Sequence, residues 1–361
     1  MTVTDSTTSA AALDKLRRDA DAPLSIGIIG QIFSGKSGLL NALLFDGAPL
    51  LPKAATPDVA HFTRIVHGER PKLTVHYYAP EDWAALERLA ASAAAGMEAE
   101  VARSLTRKAQ RADIDIAACL ARRTETVETG TLEELSGRIN DYVGNDGRYT
   151  ALVESTELAL PFAELEGIEI INTPGTNDSV RSRTQKIRDY MASCDVVFFL
   201  SRASQFLDET DLSLLDEQLP AKGVKHLILV ATHFGGAVSD DYICHPSLTV
   251  AEHSLKERLT HRAHELLERI AAQREQSGCT DLADLLRVSA MPIFMCSYAH
   301  AFATQPPERW SRFQRIIYQQ FADLAEGVWG GQPPTPADWQ RLAGFDALHD
   351  AFAAARADKE A

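Results

Sequence analysis

The sequence predicts a doubly wound α/β fold with a mainly parallel sheet. Short apolar runs alternate with helical stretches between residues 24 and 298, which is typical of a parallel sheet covered by helices. The runs at 196–200 and 227–231 are continuously apolar, as expected of central strands that are buried on both faces. The chain has 361 residues and is 45% hydrophobic, which is enough for a substantial core.

The first predicted strand covers residues 24–29, and a helix is predicted over 38–44. The loop between them, GQIFSGKS at 30–37, matches the phosphate-binding pattern G-x-x-x-x-G-K-[ST]. In such a strand-loop-helix arrangement the backbone N–H groups surround a nucleoside phosphate, the lysine neutralises its β and γ oxygens, and the last hydroxyl ligates Mg²⁺. The sequence therefore predicts a nucleotide site, with Ser37 as a metal ligand, that includes Gly30, Ser34, Gly35, Lys36, Ser37 and Gly38.

Further strands are predicted at 73–78, 168–171 and 292–296. The segment 81–142 is rich in Ala, Leu, Arg and Glu, and it contains the capping box Thr131–Glu134. We therefore predict that it is a helical insertion between two strands of the same domain.

The ends of the chain predict two flanking helical parts. A weak helix lies within the otherwise polar residues 1–20, and a Gly/Pro-rich break at 330–336 precedes a short final helix. We expect an N-terminal tail with a short flanking helix at 1–20, a main domain at 21–341, and a C-terminal flanking helix at 342–361.

Composition excludes several classes of function. The net charge of −14 argues against a nucleic-acid groove and against general adsorption to an anionic membrane, although local basic patches could override both arguments. The five cysteines are scattered, as in a reducing compartment. The first twenty residues lack the apolar core of a signal peptide, and no apolar run approaches the ~18 residues of a membrane span. We expect a cytoplasmic protein that binds no nucleic acid.

An apolar stripe at helical spacing follows residue 309. It predicts an amphipathic helix that packs against the sheet, with a membrane surface or a stalk helix as the alternative partner. Arginines surround the start of the stripe, at Arg309, Arg312 and Arg315. The stripe itself consists of Trp310, Phe313, Ile317, Phe321, Leu324 and Val328.

The later motifs follow the order of a GTPase domain. Asn172-Thr173-Pro174-Gly175 ends a predicted strand where such domains place D-T-P-G, and the Gly175 amide there senses the γ-phosphate. Thr232 and His233 follow the strand at 227–231 in the position of the base-recognition loop, and Ser297 lies in a short loop that would back the base.

With these motifs, the chain resembles the dynamin superfamily, in particular the bacterial dynamin-like large GTPases. Within that group it looks similar to the labile enterotoxin output A type. The resemblance covers about residues 20–355. The stretches that carry it include 34–44, 51–52, 63–68, 142–161 with its continuation into 167–170, and 344–348.

The resemblance implies a P-loop GTPase-like fold that binds GTP or GDP with Mg²⁺. It also implies a homodimer across the nucleotide face, a possible partner dynamin-like protein, and a role in membrane remodelling or vesicle-linked secretion. Membrane association, peripheral to the inner face, would act through a stalk that this sequence does not include. Ser37, Thr56 and Asn172 are the implied metal ligands, and Thr56 and Gly175 the implied catalytic residues.

Two departures from the family concern the chemistry of the phosphates. Ile32 and Phe33 replace polar residues that help to organise the transition state, which an apolar pair cannot do. Asn172 replaces an aspartate that holds Mg²⁺; it keeps a carbonyl acceptor but lacks the charge, unless it is simply a turn residue that ends the strand.

Two further departures concern the switch segment and the base. Thr56 is displaced from its usual position, and it is either the threonine that caps Mg²⁺ and positions water or a plain turn residue before Pro57. Thr232-His233-Phe234-Gly235 lacks the aspartate that reads guanine, and Asp240 or Asp241 is at the wrong spacing to replace it. His233 either stacks on the base or is an ordinary loop histidine.

These departures leave nucleotide binding in place and weaken the chemistry. The leading hypothesis is a GTPase module with slow, dimer-dependent hydrolysis. The second is a pseudo-GTPase that acts as an assembly or regulatory module for a partner dynamin. An ATP-using P-loop enzyme is the third.

Overall fold

A computed structural model describes residues 23–31, 33–44, 62–93, 96–144, 147–173, 188–220, 223–241, 245–289, 291–331 and 333–360. The predicted tail at 1–20, Ile32, Thr56 and Gly175 lie outside these residues.

The described residues form one sheet of nine strands in the order β4-β3-β5-β2-β6-β1-β7-β8-β9. The pairs β1–β6, β1–β7, β2–β5, β7–β8 and β8–β9 are parallel, and β2–β6, β3–β4 and β3–β5 are antiparallel. The predicted doubly wound, mainly parallel α/β fold is confirmed. The strands are β1 (Leu24–Gly30), β2 (Phe62–His67), β3 (Lys72–Tyr77), β4 (Thr124–Glu128), β5 (Val153–Leu160), β6 (Ile168–Asn172), β7 (Val196–Arg202), β8 (His226–Thr232) and β9 (Ile293–Phe294).

Helices flank the sheet. They are α1 (Lys36–Leu44), α2 (Pro80–Ala91), α3 (Met97–Arg111), α4 (Ile116–Arg122), α5 (Leu132–Val143), α6 (Glu209–Gln218), α7 (Phe234–Asp240), α8 (Leu248–Gln276), α9 (Thr280–Val288), α10 (Ser297–Thr304), α11 (Arg312–Gly327), α12 (Pro336–Ala343) and α13 (Phe345–Glu360). No helix among the described residues is long and apolar enough to cross a bilayer.

The centre of the sheet follows from hydrophobic pattern. Every residue of β1 is buried, and in β7 only Arg202 at the end is exposed, so both strands are covered on two faces as their continuous apolar runs predict. β2 and β3 alternate between buried and half-buried positions, which is typical of strands with one face against the core. The nucleotide motifs therefore start from the most buried part of the sheet.

The prediction that residues 81–142 are helical is wrong at one point. β4 lies inside this segment and pairs antiparallel with β3 at the edge of the sheet. Its sequence, TETVE, has one buried residue, Val127, so its composition alone does not distinguish it from a polar helix. Backbone hydrogen bonds to β3 decide its conformation, and these are not visible in local sequence.

Where the structure describes it, the helix after residue 309 places its aromatic side chains against those of other helices, whereas the sequence predicted packing against the sheet. Its inner face forms an aromatic cluster with α10 and α12. Ring centroids lie 4.7 Å apart for Phe302 and Trp310, 5.7 Å for Tyr318 and Trp339, and 5.0 Å for Phe321 and Trp339. This cluster fixes α11 to the body of the protein.

The last helix, α13, lies against β7 and the start of β1. Phe352 stacks on Phe198 with ring centroids 4.8 Å apart, and Phe345 and Leu348 are buried. The Lys359 ammonium donates to the Pro23 carbonyl and lies 3.3 Å from the Asp195 carboxylate. The boundary between 341 and 342 remains a prediction.

Candidate nucleotide-binding site

The phosphate loop is shaped by close packing between its glycines and the neighbouring strand. A Cβ atom at Gly30 would lie 2.4 Å from the Leu200 carbonyl oxygen and 2.6 Å from Ser34 Oγ, so only glycine fits there. Gly35 has φ of +90°, a conformation that L side chains rarely adopt. The Ser34 amide donates to the Gln31 carbonyl at 3.1 Å, and α1 starts one residue after Gly35. By contrast, a Cβ at Gly38 would meet no heavy atom within 4 Å.

Lys36 lies inside the curve of this loop. Its ammonium donates to the carbonyl oxygens of Gly30 at 2.5 Å and Gln31 at 2.8 Å. Burial lowers the pKa of Lys36 from 10.5 to about 7, against a smaller opposing effect of Asp211. A desolvated ammonium that is held mainly by neutral carbonyls is well placed to bind an incoming anion.

Two polar atoms at the same end of the sheet are buried without a hydrogen-bond partner among the described residues. They are Ser34 Oγ in the loop and Asn172 Oδ1 at the end of β6. Asn172 is in register with Ile28 of the neighbouring β1. Buried polar groups are almost always satisfied in folded proteins, so these two atoms indicate a polar ligand. Ser37 is half-buried in the first turn of α1.

A carboxylate pair, which the sequence motifs do not reveal, holds the second residue of the loop. The Gln31 amide donates to Asp208 and to Asp211, both at 2.8 Å. Asp211 also accepts from Ser201 Oγ at 2.5 Å, and this hydroxyl accepts from the Leu207 amide. Burial raises the pKa of Asp211, and the bonds from Ser201 and Gln31 oppose this. In the sequence, the only hint of this pair is that Asp208 stands at the N-cap of α6, where its side chain accepts from the Asp211 amide.

The base loop meets the phosphate loop directly. His233 Nε2 lies 3.1 Å from the carbonyl oxygen of Phe33. Because a carbonyl oxygen only accepts, Nε2 carries the proton in this contact. Thr232 is buried, and its hydroxyl donates to the Ser201 carbonyl at 3.2 Å. The structure therefore brings Thr232 and His233 together with the predicted phosphate-binding residues.

The position of the missing base-reading aspartate is closed by packing. A Cβ at Gly235 would lie 2.4 Å from the Tyr298 hydroxyl and 2.9 Å from Cys296 Sγ. Burial raises the pKa of Tyr298, so its hydroxyl stays protonated. The Asp241 carboxylate accepts from Arg258 at 2.5 Å, and the same oxygen, Oδ2, lies 3.2 Å from His245 Nε2. Ser297 begins α10, which contacts α1.

Comparisons with known proteins agree with this geometry. The chain is 22% identical over 256 residues to dynamin-like protein 1 of Campylobacter jejuni, covering 71% of this chain and 33% of that protein. It is 25% identical over 204 residues to a bacterial dynamin-like protein of Nostoc punctiforme, covering 56% of this chain and 24% of that protein. The chain thus spans about a third or less of these relatives.

A solved structure of an oligomerised bacterial dynamin pair has the same fold. It superposes with a TM-score of 0.50 at 19% identity, over 95% of this chain and 50% of that one. The finer resemblance to the labile enterotoxin output A type stays a prediction. The dynamin family model matches residues 26–234, which is more than half of this chain, and the chain therefore belongs to the dynamin family.

Proposed function

We propose that this chain is a dynamin-like GTPase module that binds GTP or GDP with Mg²⁺ and hydrolyses GTP slowly. Membership of the dynamin family implies guanine-nucleotide binding. The observation that carries the proposal is the desolvated Lys36 ammonium, which lies in the same loop as the buried Ser34 hydroxyl, a group without a hydrogen-bond partner in the described part of the chain. Together they present a positive charge and a hydroxyl to a phosphate.

The residues present also fit a metal ion. Asn172 supplies a buried carbonyl oxygen without a partner among the described residues, and hydroxyl and carbonyl oxygens are the donors that Mg²⁺ prefers. We propose Ser37, Asn172 and Thr56 as the residues that hold it, directly or through water; Thr56 lies outside the described residues. Mg²⁺, when bound, would stabilise negative charge on the phosphate oxygens.

Slow hydrolysis follows from what the chain contributes around the phosphates. Asn172 is neutral where the family has a carboxylate, so it holds a cation less strongly. Phe33 is 61% exposed, and its apolar ring cannot stabilise developing charge. We propose Thr56 and the Gly175 amide as the groups that position water and sense the γ-phosphate, as the family resemblance implies.

The base pocket supports weak discrimination between purines. No carboxylate follows Phe234 to accept from the guanine edge, and the Tyr298 hydroxyl occupies the space beside Gly235. Since guanine selectivity in the family rests on that carboxylate, we expect GTP to be preferred over ATP by a smaller factor than in relatives that have it.

The partner assignments rest on similarity. One solved neighbour is described as an oligomerised pair with a mechanism for the long-range sensing and tethering of membranes. We propose that this chain likewise forms a homodimer across the nucleotide face, or pairs with another dynamin-like protein, and serves membrane remodelling or vesicle-linked secretion. We further propose that it acts in the cytoplasm, peripheral to the membrane.

The second candidate is a pseudo-GTPase that assembles with a partner dynamin and hydrolyses nothing. Asn172, Phe33 and Gly235 favour it. Hydrolysis measured over a range of protein concentrations separates the two. A rate that rises more than linearly with concentration supports the dimer-dependent enzyme, and a flat background rate supports the pseudo-GTPase.

Calorimetric titration of GTP, GDP and ATP, with and without Mg²⁺, tests the binding proposal. We expect Mg²⁺-assisted binding that is lost in Lys36→Ala and retained in Lys225→Ala, which removes an exposed lysine. Circular dichroism should show that both variants are folded. Failure of the wild-type protein to bind any of the three nucleotides would overturn the proposal.

A further inference from the structure

Helix α11 exposes large apolar side chains on its outer face. Phe313 is 64% exposed and Ile316 is 50% exposed, whereas Phe321 and Ala325 further along the same helix are buried. The capping box of Ser311 and Gln314 fixes the first turn of this helix. The exposed apolar groups are therefore held in place on a rigid element.

Arginines surround these apolar side chains. Residues 312, 313, 315 and 316 are neighbours on a helix surface, since positions three and four apart lie side by side. Arg309, Arg312 and Arg315 are all exposed, and their guanidinium groups have no ion-pair partner among the described residues. Arg309, Arg312, Phe313, Arg315 and Ile316 are called the arginine–apolar face below.

The charge of this face differs from that of the rest of the chain. No acidic residue occurs between Arg309 and Ala322, with Glu308 just before and Asp323 just after, although the chain has a net charge of −14. An anionic surface would be repelled by the net negative charge of the protein and attracted by this face. The face therefore favours one orientation toward an anionic partner.

We propose that the arginine–apolar face binds the surface of an anionic lipid bilayer. Arginine stems extend along an interface with their charges at the headgroups, while phenylalanine and isoleucine enter the acyl boundary. A stable protein–protein interface buries roughly 800 Å² per side, whereas the arginine–apolar face consists of five side chains. A bilayer needs no complementary pocket.

The proposal gives a partner to the membrane role proposed above and rests on it, but it is independent of the nucleotide site. Each basic residue near an anionic surface contributes enough to change the partition coefficient by about fivefold. Three arginines and two apolar groups thus give weak, reversible, salt-sensitive binding. Such weak contact suits a module that other parts of the assembly already hold near the membrane.

Co-sedimentation of the full chain with vesicles, without nucleotide, tests the proposal. We expect binding to phosphatidylcholine vesicles that contain phosphatidylserine, weaker binding at high salt, and little binding to phosphatidylcholine alone. Arg312→Glu/Arg315→Glu should lower the partition coefficient by more than about tenfold. Phe313→Ser/Ile316→Ser should lower it several-fold with the net charge unchanged.

The matched control is Arg107→Glu/Arg111→Glu, which makes the same change of charge on exposed positions of α3. Equal loss of binding in this control would show a general charge effect and overturn the proposal. Absence of wild-type binding to anionic vesicles at low salt would also overturn it. So would concentration-dependent self-association that Phe313→Ser/Ile316→Ser abolishes, because the occupant would then be a second copy. Nucleotide titration of the same samples reports separately on the proposed GTPase site.

Discussion

His233 and Phe33 are 200 residues apart in sequence, and a hydrogen bond of 3.1 Å joins the ring of one to the carbonyl of the other. Both are non-glycine residues with positive φ, 53° for His233 and 62° for Phe33. Such a backbone costs about 1–2 kcal/mol per residue and persists where surrounding structure requires it. The base loop and the phosphate loop are thus coupled through two strained residues.

Removing the His233 ring should weaken nucleotide binding without unfolding the protein. His233→Gly tolerates the left-handed backbone but loses the bond to Phe33, so we expect the Kd for nucleotide to rise by roughly two- to tenfold. Calorimetry measures the Kd, and thermal unfolding measures stability. His253→Ala, on an exposed face of α8, is the control and should leave the Kd unchanged. An unchanged Kd in His233→Gly would show that the contact does not organise the site.

Features that depend on a short stretch of sequence can be predicted from it, whereas features that depend on contacts between distant residues cannot. The phosphate loop is a contiguous motif, and β1, β7 and β8 are continuous apolar runs, so both are readable from short windows. β4 has one buried residue and depends on its pairing with β3. The bonds of Gln31 to Asp208 and Asp211 join residues about 180 positions apart, which only the fold brings together. The roles of Thr56 and Gly175 stay predictions.

Two adjacent glycines of α7 should respond oppositely to alanine. A Cβ at Gly236 meets nothing within 4 Å, so Gly236→Ala should stabilise the protein by up to about 1 kcal/mol through helix propensity. A Cβ at Gly235 meets the Tyr298 hydroxyl at 2.4 Å, so Gly235→Ala should destabilise it by about 1–3 kcal/mol. Urea unfolding measures both changes.

Tyr298→Phe removes the hydroxyl that makes the shortest of these contacts. Combined with Gly235→Ala, it should recover only part of the lost stability, since Cys296 Sγ at 2.9 Å and Tyr298 Cζ at 3.0 Å still lie close to the added Cβ. Equal shifts in the two alanine variants would contradict the packing argument at Gly235.

Asp211 should make stability depend on pH. Burial raises its pKa in the folded state above 3.8, so above that pH the unfolded chain ionises first and stability falls as pH rises. Asp211→Asn keeps an acceptor for Gln31 and removes this penalty. The free energy of unfolding of the variant, relative to the wild type, should therefore increase as the pH rises above 3.8, until the carboxyl is ionised in the folded state as well.

Denaturant titrations at several pH values measure this difference. Asp350→Asn, at an exposed position of α13, serves as the reference for a carboxylate in solvent. A difference between Asp211→Asn and wild type that is constant with pH would show that the Asp211 carboxyl titrates alike in both states.

Lys359 should anchor the C-terminal helix. Its side chain is 13% exposed and contacts the Asp195 carboxylate, which is 3% exposed and also accepts from the Ser25 amide at 3.0 Å. Lys359→Met leaves that carboxylate without this cation, so we expect a loss of about 1–3 kcal/mol in the free energy of unfolding. Asp358 lies on the same helix, is 65% exposed, and pairs with His226 of β8. Asp358→Ala should therefore cost less than about 1 kcal/mol of the free energy of unfolding. If the two variants are equally stable, apolar contacts such as those of Phe345, Leu348 and Phe352 hold α13, and the buried ion pair contributes nothing to its attachment.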